Sequence, residues 1–265
     1  MSVAANECGY AGMVAKEIEP VGGHMQTTTL SFFNMHEHGQ LLVNLLRARR
    51  DSFIVKNSWD LPQAEGLEYD QYDTPASRWI AVHDGDEVLA GIRLTATTAK
   101  CGMYSYMIRD AQKGLLDTIP SNLLNFEAPV DPDVWESSRV FVTNAVQAKD
   151  RTRVQALMMQ GMIDAAIELG AKRVIGLVPA VWSRWIGRLG LKAEPAGPVM
   201  DLDGWKTQAA LMHLDSYRKT ETIKDKAKSK IVDGTEEKRP EIDRPSASHR
   251  LESVKPREQE VRFAS

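Results

Sequence analysis

Cysteine is scarce in this chain: Cys8 and Cys101 are the only two in 265 residues. Two thiols so far apart make neither a disulfide framework nor a metal site, so both are expected to be reduced and structural. Long apolar runs are missing too. No stretch reaches the roughly 18 apolar residues that cross a bilayer, and the N-terminal segment carries Glu7, Glu17 and Glu19 without an apolar core. Neither a membrane span nor a signal peptide is expected, and the location read from this is cytoplasmic. Neither sign of charge dominates, the net value being −3. Residues 216–265 hold 13 basic and 10 acidic side chains against 20 and 26 before them, so the body is acidic and has no overall nucleic-acid footprint. What remains, 43% apolar and 26% charged residues, suffices for a sizeable core.

The two ends differ from the middle. Residues 1–25 read as an irregular leader, and 216–265 alternate Lys, Glu, Asp, Arg, Pro and Ser with too few apolar residues to offset chain entropy, so this tail is expected to be disordered. Between them, 26–215 reads as one domain in which strands and helices alternate. Thr27–Phe33 has the pattern of a strand, and Glu37–Val55 that of a helix with Leu41, Leu42, Leu45, Leu46 and Ala48 near helical spacing. Trp79–His83 and Val88–Thr95 flank Asp84-Gly85-Asp86 and form a hairpin. A short helix over Ile108–Leu116 precedes a strand over Trp135–Val146. A helix over Arg151–Leu169 closes on Gly170, a strand covers Lys172–Val178, a helix Val181–Leu189, and one or two strands lie within Ala193–Leu214. This order gives an α/β fold, a mixed sheet flanked by helices.

Several ionisable residues occupy segments that otherwise read as core or ordered loop. Arg93 sits inside Gly91-Ile92-Arg93-Leu94, and Glu136 and Arg139 inside one strand. Arg49 lies on the first helix, four residues before Phe53 and ten before Trp59; Asp70 and Asp73 follow in a loop. Singly each has an ordinary explanation: a solvated arginine, a turn-forming aspartate, a core tryptophan, a structural ion pair. Three arginines and three carboxylates in such places are costly unless they meet one another.

Taken together, the order and spacing of Arg49, Phe53, Trp59, Asp70, Asp73, Arg93, Glu136 and Arg139 resemble the signature of the acyl-homoserine-lactone synthases, the LuxI-type autoinducer synthases of quorum sensing. Glu68-Tyr69-Asp70-Gln71-Tyr72-Asp73 and Glu136-Ser137-Ser138-Arg139-Val140-Phe141 add to the match, and the resemblance covers roughly 28–215. It implies a fold similar to the GCN5-related N-acetyltransferases, an α/β/α sandwich. It also implies a reaction of S-adenosylmethionine with an acyl-carrier-protein thioester, the former being a substrate, with no cofactor or metal required.

On that resemblance, Glu136, Arg93 and Arg139 are the catalytic candidates, and Arg49, Phe53, Trp59, Asp70 and Asp73 those for binding S-adenosylmethionine. Glu136 would take a proton from the attacking amine, directly or through water. Because Glu136 and Arg139 are three apart, an ideal strand points them to opposite faces, and a bulge near Ser137 and Ser138 is expected to bring them together. Met103, Met107, Leu157 and Trp182, with the methionines of the Arg151–Leu169 helix, are read as lining the acyl pocket. Lys149, Arg151 and Arg153, extended by Lys172, Arg173, Arg184 and Arg188, are read as docking an acidic carrier protein. Val174–Ala180 lacks a hydroxyl, so unsubstituted acyl chains, or 3-hydroxy chains if another donor reaches C3, are expected over 3-oxo ones. The alternative is an acetyl-CoA-dependent N-acetyltransferase, weakened by the absence of glycine from Ala145–Arg153, where such enzymes hold a diphosphate.

Overall fold

The computed structural model describes residues 24–181, 186–187, 190–202, 204–215 and 217. Its strands are β1 (Gln26–Leu30), β2 (Gln63–Ala64), β3 (Leu67–Glu68), β4 (Ser77–Asp84), β5 (Glu87–Ala96), β6 (Val134–Val142), β7 (Arg173–Pro179), β8 (Lys192–Leu202) and β9 (Trp205–His213). The α-helices with assigned bounds are α1 (Leu41–Arg50), α2 (Met107–Gln112) and α3 (Arg151–Glu168). Seven strands make one mixed sheet in the order β1-β4-β5-β6-β7-β9-β8, parallel only between β6 and β7, while β2 and β3 form a small hairpin.

Strand alternation sorts the core between the two faces of this sheet. Ile80, Val82, Ile92, Leu94, Trp135 and Val174 turn toward α3, where Val154, Met158, Met159 and Met162 are buried. Trp79, Ala81 and Phe141 turn the other way, against Leu41 and Leu45 of α1. On that same face α2 packs Met107, Ile108 and Ala111 over Val134, Ile175 and Ala209. The product is an α/β/α sandwich, a mixed sheet with helices on both faces. No described helix is long and apolar enough to cross a membrane.

The hairpin, β7 and α3 fall close to the segments read from sequence, and Gly170 takes φ 82° just past α3. The stretch Glu37–Val55 is not one helix. Gly39, at φ 54°, separates a short 3-10 turn at Met35–His38 from α1, and after Arg50 the helix widens into a π-helical turn at Asp51–Lys56. The loop around Pro62 and Gly66 contains the β2–β3 hairpin, whose turn residues Glu65 and Gly66 both have positive φ. The stretch Ala193–Leu214 resolves into β8 and β9. Most of the helix read at Val181–Leu189, and nearly all of the leader and tail, lie outside the described residues.

One irregularity of the sheet positions everything below. β6 and β7 pair from Val134–Arg173 to Ser137–Gly176 and no further, although β6 continues along β5 and β7 along β9. The two parallel strands therefore part just beyond Glu136. They approach closely where they still pair: a Cβ on Gly176 would lie 2.3 Å from the Ser137 hydroxyl and 3.0 Å from its carbonyl, so a side chain there would have to displace Ser137.

Candidate active site

Four segments bring three arginines and three carboxylates into one buried network. Arg49, in the last turn of α1, donates from Nε to Glu68 at 2.5 Å and from Nη1 and Nη2 to Asp73 at 2.8 and 3.0 Å. Arg93, in the middle of β5, holds both oxygens of Asp70 at 2.6 and 3.2 Å, reaches Asp73 at 3.0 Å, and donates from Nε to Ser138 Oγ at 3.2 Å. Arg139 completes the ring, binding Glu68 from Nε at 3.1 Å and Asp70 from Nη2 at 2.7 Å. The Trp79 indole N–H donates to Asp73 at 2.8 Å. Three cations thus meet three anions, and paired, multiply bonded geometry is what lets so many charges stay inside a protein.

Local structure explains each placement. Asp70 and Asp73 are turn formers as well as ligands: Asp73 accepts the amide of Asp70 at 2.8 Å, and Asp70 accepts that of Tyr72 at 2.9 Å. The β2–β3 hairpin delivers Glu68, which the sequence reading left out of the site. Charge balance gave no signal for it, because the sequence reading already set Glu136 against the third arginine; in the structure Glu136 serves the α2 amides and Glu68 takes that place. Arg139 reaches the network because β6 is bulged, one residue later than expected. Ser138 pairs with Arg93 and Phe141 with Gly91, so Arg139 and Val140 together oppose Ile92, and Arg139 takes φ 54°, uncommon for a residue with a side chain.

The bulge does not join Glu136 to Arg139, which have different partners. Glu136 is fully buried and accepts the amides of Met107 at 3.2 Å and Ile108 at 2.7 Å. These are the first two residues of α2, whose N–H groups have no acceptor within the helix, so the strand carboxylate caps the helix. Burial pushes the Glu136 carboxyl up to about 7, against the opposing pull of the Ile108 amide, the Arg93 charge and the Met107 amide. Asp73 goes the other way. Burial alone would raise it, but Arg93 and Arg49 outweigh burial and hold it below the ordinary carboxylate range; Arg93 and Arg139 do the same for Asp70. The site therefore combines an electrically balanced frame of paired side chains with one buried carboxyl whose proton affinity is raised to about 7.

Access is unequal. Arg49 and Arg93 are sealed, whereas the Arg139 side chain is 12% exposed and its Nη1 has no partner among the described residues. Phe53, in the π-helical turn, stacks on Trp59 with centroids 5.2 Å apart and planes within 3°, and the Arg139 guanidinium lies 5.9 Å from the Phe53 ring centre. π-turns often occur at functional sites, and this one places Phe53 against the network. A cavity of about 360 Å³ opens nearby between α1 and the end of β6, lined by Asn44, Arg47, Asp51, Ser52, Thr143 and Asn144 among others, and by none of the eight signature residues. No described group of three or more His, Cys, Asp or Glu is arranged to hold a metal.

The autoinducer synthase family model matches residues 33–222, most of the chain. The chain belongs to this family, which consists of acyltransferases. An acyl-homoserine-lactone synthase of Ralstonia nicotianae is 30% identical over 177 residues, covering 65% of this chain and 81% of its own. One from Pseudomonas aeruginosa is 27% identical over 167 residues, covering 62% and 75%. Among solved structures, TofI in a ternary complex with an inhibitor and MTA is 25% identical, with a TM-score of 0.58 over 73% of this chain and 94% of that one. BjaI, described as a CoA-dependent acyl-homoserine lactone synthase and solved with SAM and isopentyl-CoA, shares the fold at 23% identity, with a TM-score of 0.58 over 72% and 84%.

In this autoinducer synthase the remaining residues singled out in the sequence fall in different places. The four residues read as an acyl pocket do not share one lining. Met103 is 67% exposed on the loop after β5, and Met107, the first residue of α2, is buried on the Glu136 face. Leu157 packs with Met158, Met159 and Met162 on the opposite face, since α3 and α2 cover different sides of the sheet, and Trp182 lies outside the described residues. The basic cluster also divides. Lys149, Arg151 and Arg153 surround the start of α3, which follows the C-terminal end of β6, whereas Lys172 and Arg173 stand at the beginning of the parallel β7 and so at the opposite end of the sheet. There they pair with Asp133 at 2.5 Å and Asp131 at 3.0 Å. Arg184 and Arg188 are outside the described residues.

Proposed function

We propose that this protein synthesises an N-acyl-homoserine lactone from S-adenosylmethionine and an acyl chain carried as a thioester on acyl-carrier protein, releasing methylthioadenosine. The observation that carries this reading is Glu136, a fully buried carboxyl poised at about 7 beside the point where β6 and β7 separate. An amine nucleophile with an ordinary pKa near 8 needs only a modest base. In the first step Glu136 takes one proton from the ammonium of S-adenosylmethionine, directly or through water, the freed amine attacks the thioester carbon, and the second proton lost from nitrogen leaves with the carrier thiol. In the second, an oxygen of the methionine carboxylate displaces the sulfonium, closing the lactone. An anion and a cation cancel as methylthioadenosine departs.

The frame suits both steps. Every guanidinium nitrogen of Arg49 and Arg93 is engaged by a carboxylate or by Ser138, so these two fix the shape of the site, and Arg139 alone offers a free guanidinium edge to the substrate. A single charge-assisted contact orients the methionine carboxylate without burying its nucleophilic oxygen. The Phe53–Trp59 pair gives the sulfonium or adenine an aromatic face, worth roughly 2 kcal/mol for a desolvated cation. S-adenosylmethionine is consumed as a substrate and no cofactor enters the scheme.

Lys149, Arg151 and Arg153 support a carrier protein as donor, because they put three basic residues around the start of α3, at the end of the sheet where β6 and β7 separate, on an otherwise acidic body. Replacing Lys149 and Arg153 with glutamate is expected to raise KM for the acyl-carrier-protein thioester roughly tenfold at low salt and much less at high salt, with KM for S-adenosylmethionine unchanged. Equal effects on both substrates, or a matched acyl-CoA used as well as the carrier thioester by the unaltered enzyme, would count against this donor.

A second prediction concerns the chain. β7 presents no hydroxyl, and the one buried side-chain polar atom without a partner among the described residues is the Tyr72 hydroxyl, in the cluster that contains Met107. Competition among donors matched except at C3 is expected to yield mainly unsubstituted or 3-hydroxy lactones by mass spectrometry. Mainly 3-oxo product would show that another group serves C3.

A further inference from the structure

We infer that Asp110 is a positioning residue for Glu136, acting through Ser105 and the turn that opens α2. This rests on the reading of Glu136 as the proton acceptor. Asp110 is completely buried and forms no ion pair among the described residues. Its two oxygens are instead both used on one residue, accepting the Ser105 amide at 2.8 Å and the Ser105 hydroxyl at 2.6 Å. A buried carboxylate with no cation beside it among the described residues, bonded to a serine and facing the Tyr72 hydroxyl, is a costly way to close a turn. Its consequence lies two and three residues further on, where Met107 and Ile108 direct their amides at the Glu136 carboxylate.

The chain of contacts is continuous. Asp110 buckles Ser105 back onto α2, Tyr106 is held between them in an extended conformation with its hydroxyl on the Pro129 carbonyl, and the next two amides point at Glu136. Without the buckle those two N–H groups lose their fixed aim, and the charged form of Glu136 loses the donors that favour it. The proton affinity of Glu136 would then rise, leaving less of it ionised near neutrality.

The other groups around Glu136 allow a test by sign. Arg93 from β5, Asp70 from the turn after β3, Tyr106 at the start of α2 and Tyr72 all act on it electrostatically or are acted on by it, and Ile175 of β7 is apolar. Asp110 itself faces Tyr72 and Tyr106. Removing the negative charge of Asp110 by itself lowers the proton affinity of Glu136, whereas loosening the turn raises it, so the two explanations predict opposite shifts.

The decisive experiment follows the Ile108 amide resonance of the full chain through a pH titration, alongside the pH dependence of kcat/KM. The unaltered protein should titrate near 7, and Glu136→Gln should abolish that transition. Asp110→Ala is expected to move the midpoint upward by about one unit, a tenfold change in proton affinity, and to carry the acid limb of kcat/KM with it. Ser105→Ala, which changes no charge and removes one of the two bonds, should shift it less in the same direction, and serves if Asp110→Ala does not fold. A downward or absent shift in these variants overturns the inference. Absence of lactone synthesis by the unaltered protein would instead overturn the proposed function, independently of the titration.

Discussion

Replacing Glu136 with glutamine is expected to lower kcat/KM by at least about 10²-fold while leaving the fold intact. Glutamine has nearly the same volume and keeps an oxygen for the Ile108 amide, so the shorter of the two cap bonds survives while the Met107 acceptor and the proton acceptor are lost. In the unaltered enzyme, activity should rise with pH through about 7 as Glu136 ionises, and this limb should vanish in the variant. The sign follows from burial. The native state holds its proton up to about 7 and the unfolded chain releases it near the ordinary carboxylate value, so stability falls as pH rises between the two, by about 1.4 kcal/mol per unit. Steady-state methylthioadenosine release across the neutral range measures the rate, and a near-normal rate in the variant would remove Glu136 from the chemistry.

Arg93→Ala should have the larger effect on stability. Arg93 is fully buried and holds Asp70, Asp73 and Ser138 together, so its loss leaves two buried carboxylates short of a cation. A cost of about 3–5 kcal/mol is expected in urea unfolding, with turnover reduced at least about 10²-fold in whatever remains folded. The penalty should be full at neutral pH and shrink in acid. Asp70 and Asp73 have lowered pKa values in the native state, so the stability they confer is present above the ordinary carboxylate range and disappears as pH falls through their native values. Arg93→Lys restores the charge but not the two-armed geometry and should recover only part of either loss. A folded, fully active Arg93→Ala protein would contradict the description of the network as the frame of the site.

Features governed by near neighbours were legible in the sequence. The Asp84-Gly85-Asp86 turn, the termination of α3 at Gly170 and the apolar stripes on the helices all follow from short-range chemistry. The clustering of Arg49, Asp70, Asp73, Arg93 and Arg139 was also legible, because charges in apolar segments must find partners. Which partner each finds was not. Glu68 meets Arg139 across 71 positions of chain, through a two-residue hairpin with almost no apolar signature. The bulge at Arg139 depends on its register against Gly91 and Arg93, which β6 does not encode by itself. The spread of the acyl-lining candidates over both faces of the sheet, and of Lys149 and Lys172 over its two ends, was hidden for a related reason. Proximity in sequence or likeness of side chain does not say which face or which end of the sheet a residue occupies, and the parallel pairing of β6 with β7 sends Lys172 and Lys149 to opposite ends.

The central claim is that one site joins an acyl chain to S-adenosylmethionine and then closes the lactone. Its most direct test is methylthioadenosine release from S-adenosylmethionine by the purified protein, with and without an acyl-carrier-protein thioester, together with mass analysis of the acyl product. The expected result is release that requires the thioester and matches the acyl-homoserine lactone formed one for one. Acylation of an amine without methylthioadenosine, as an acetyl-CoA-dependent N-acetyltransferase would give, or binding of S-adenosylmethionine without turnover, would contradict it.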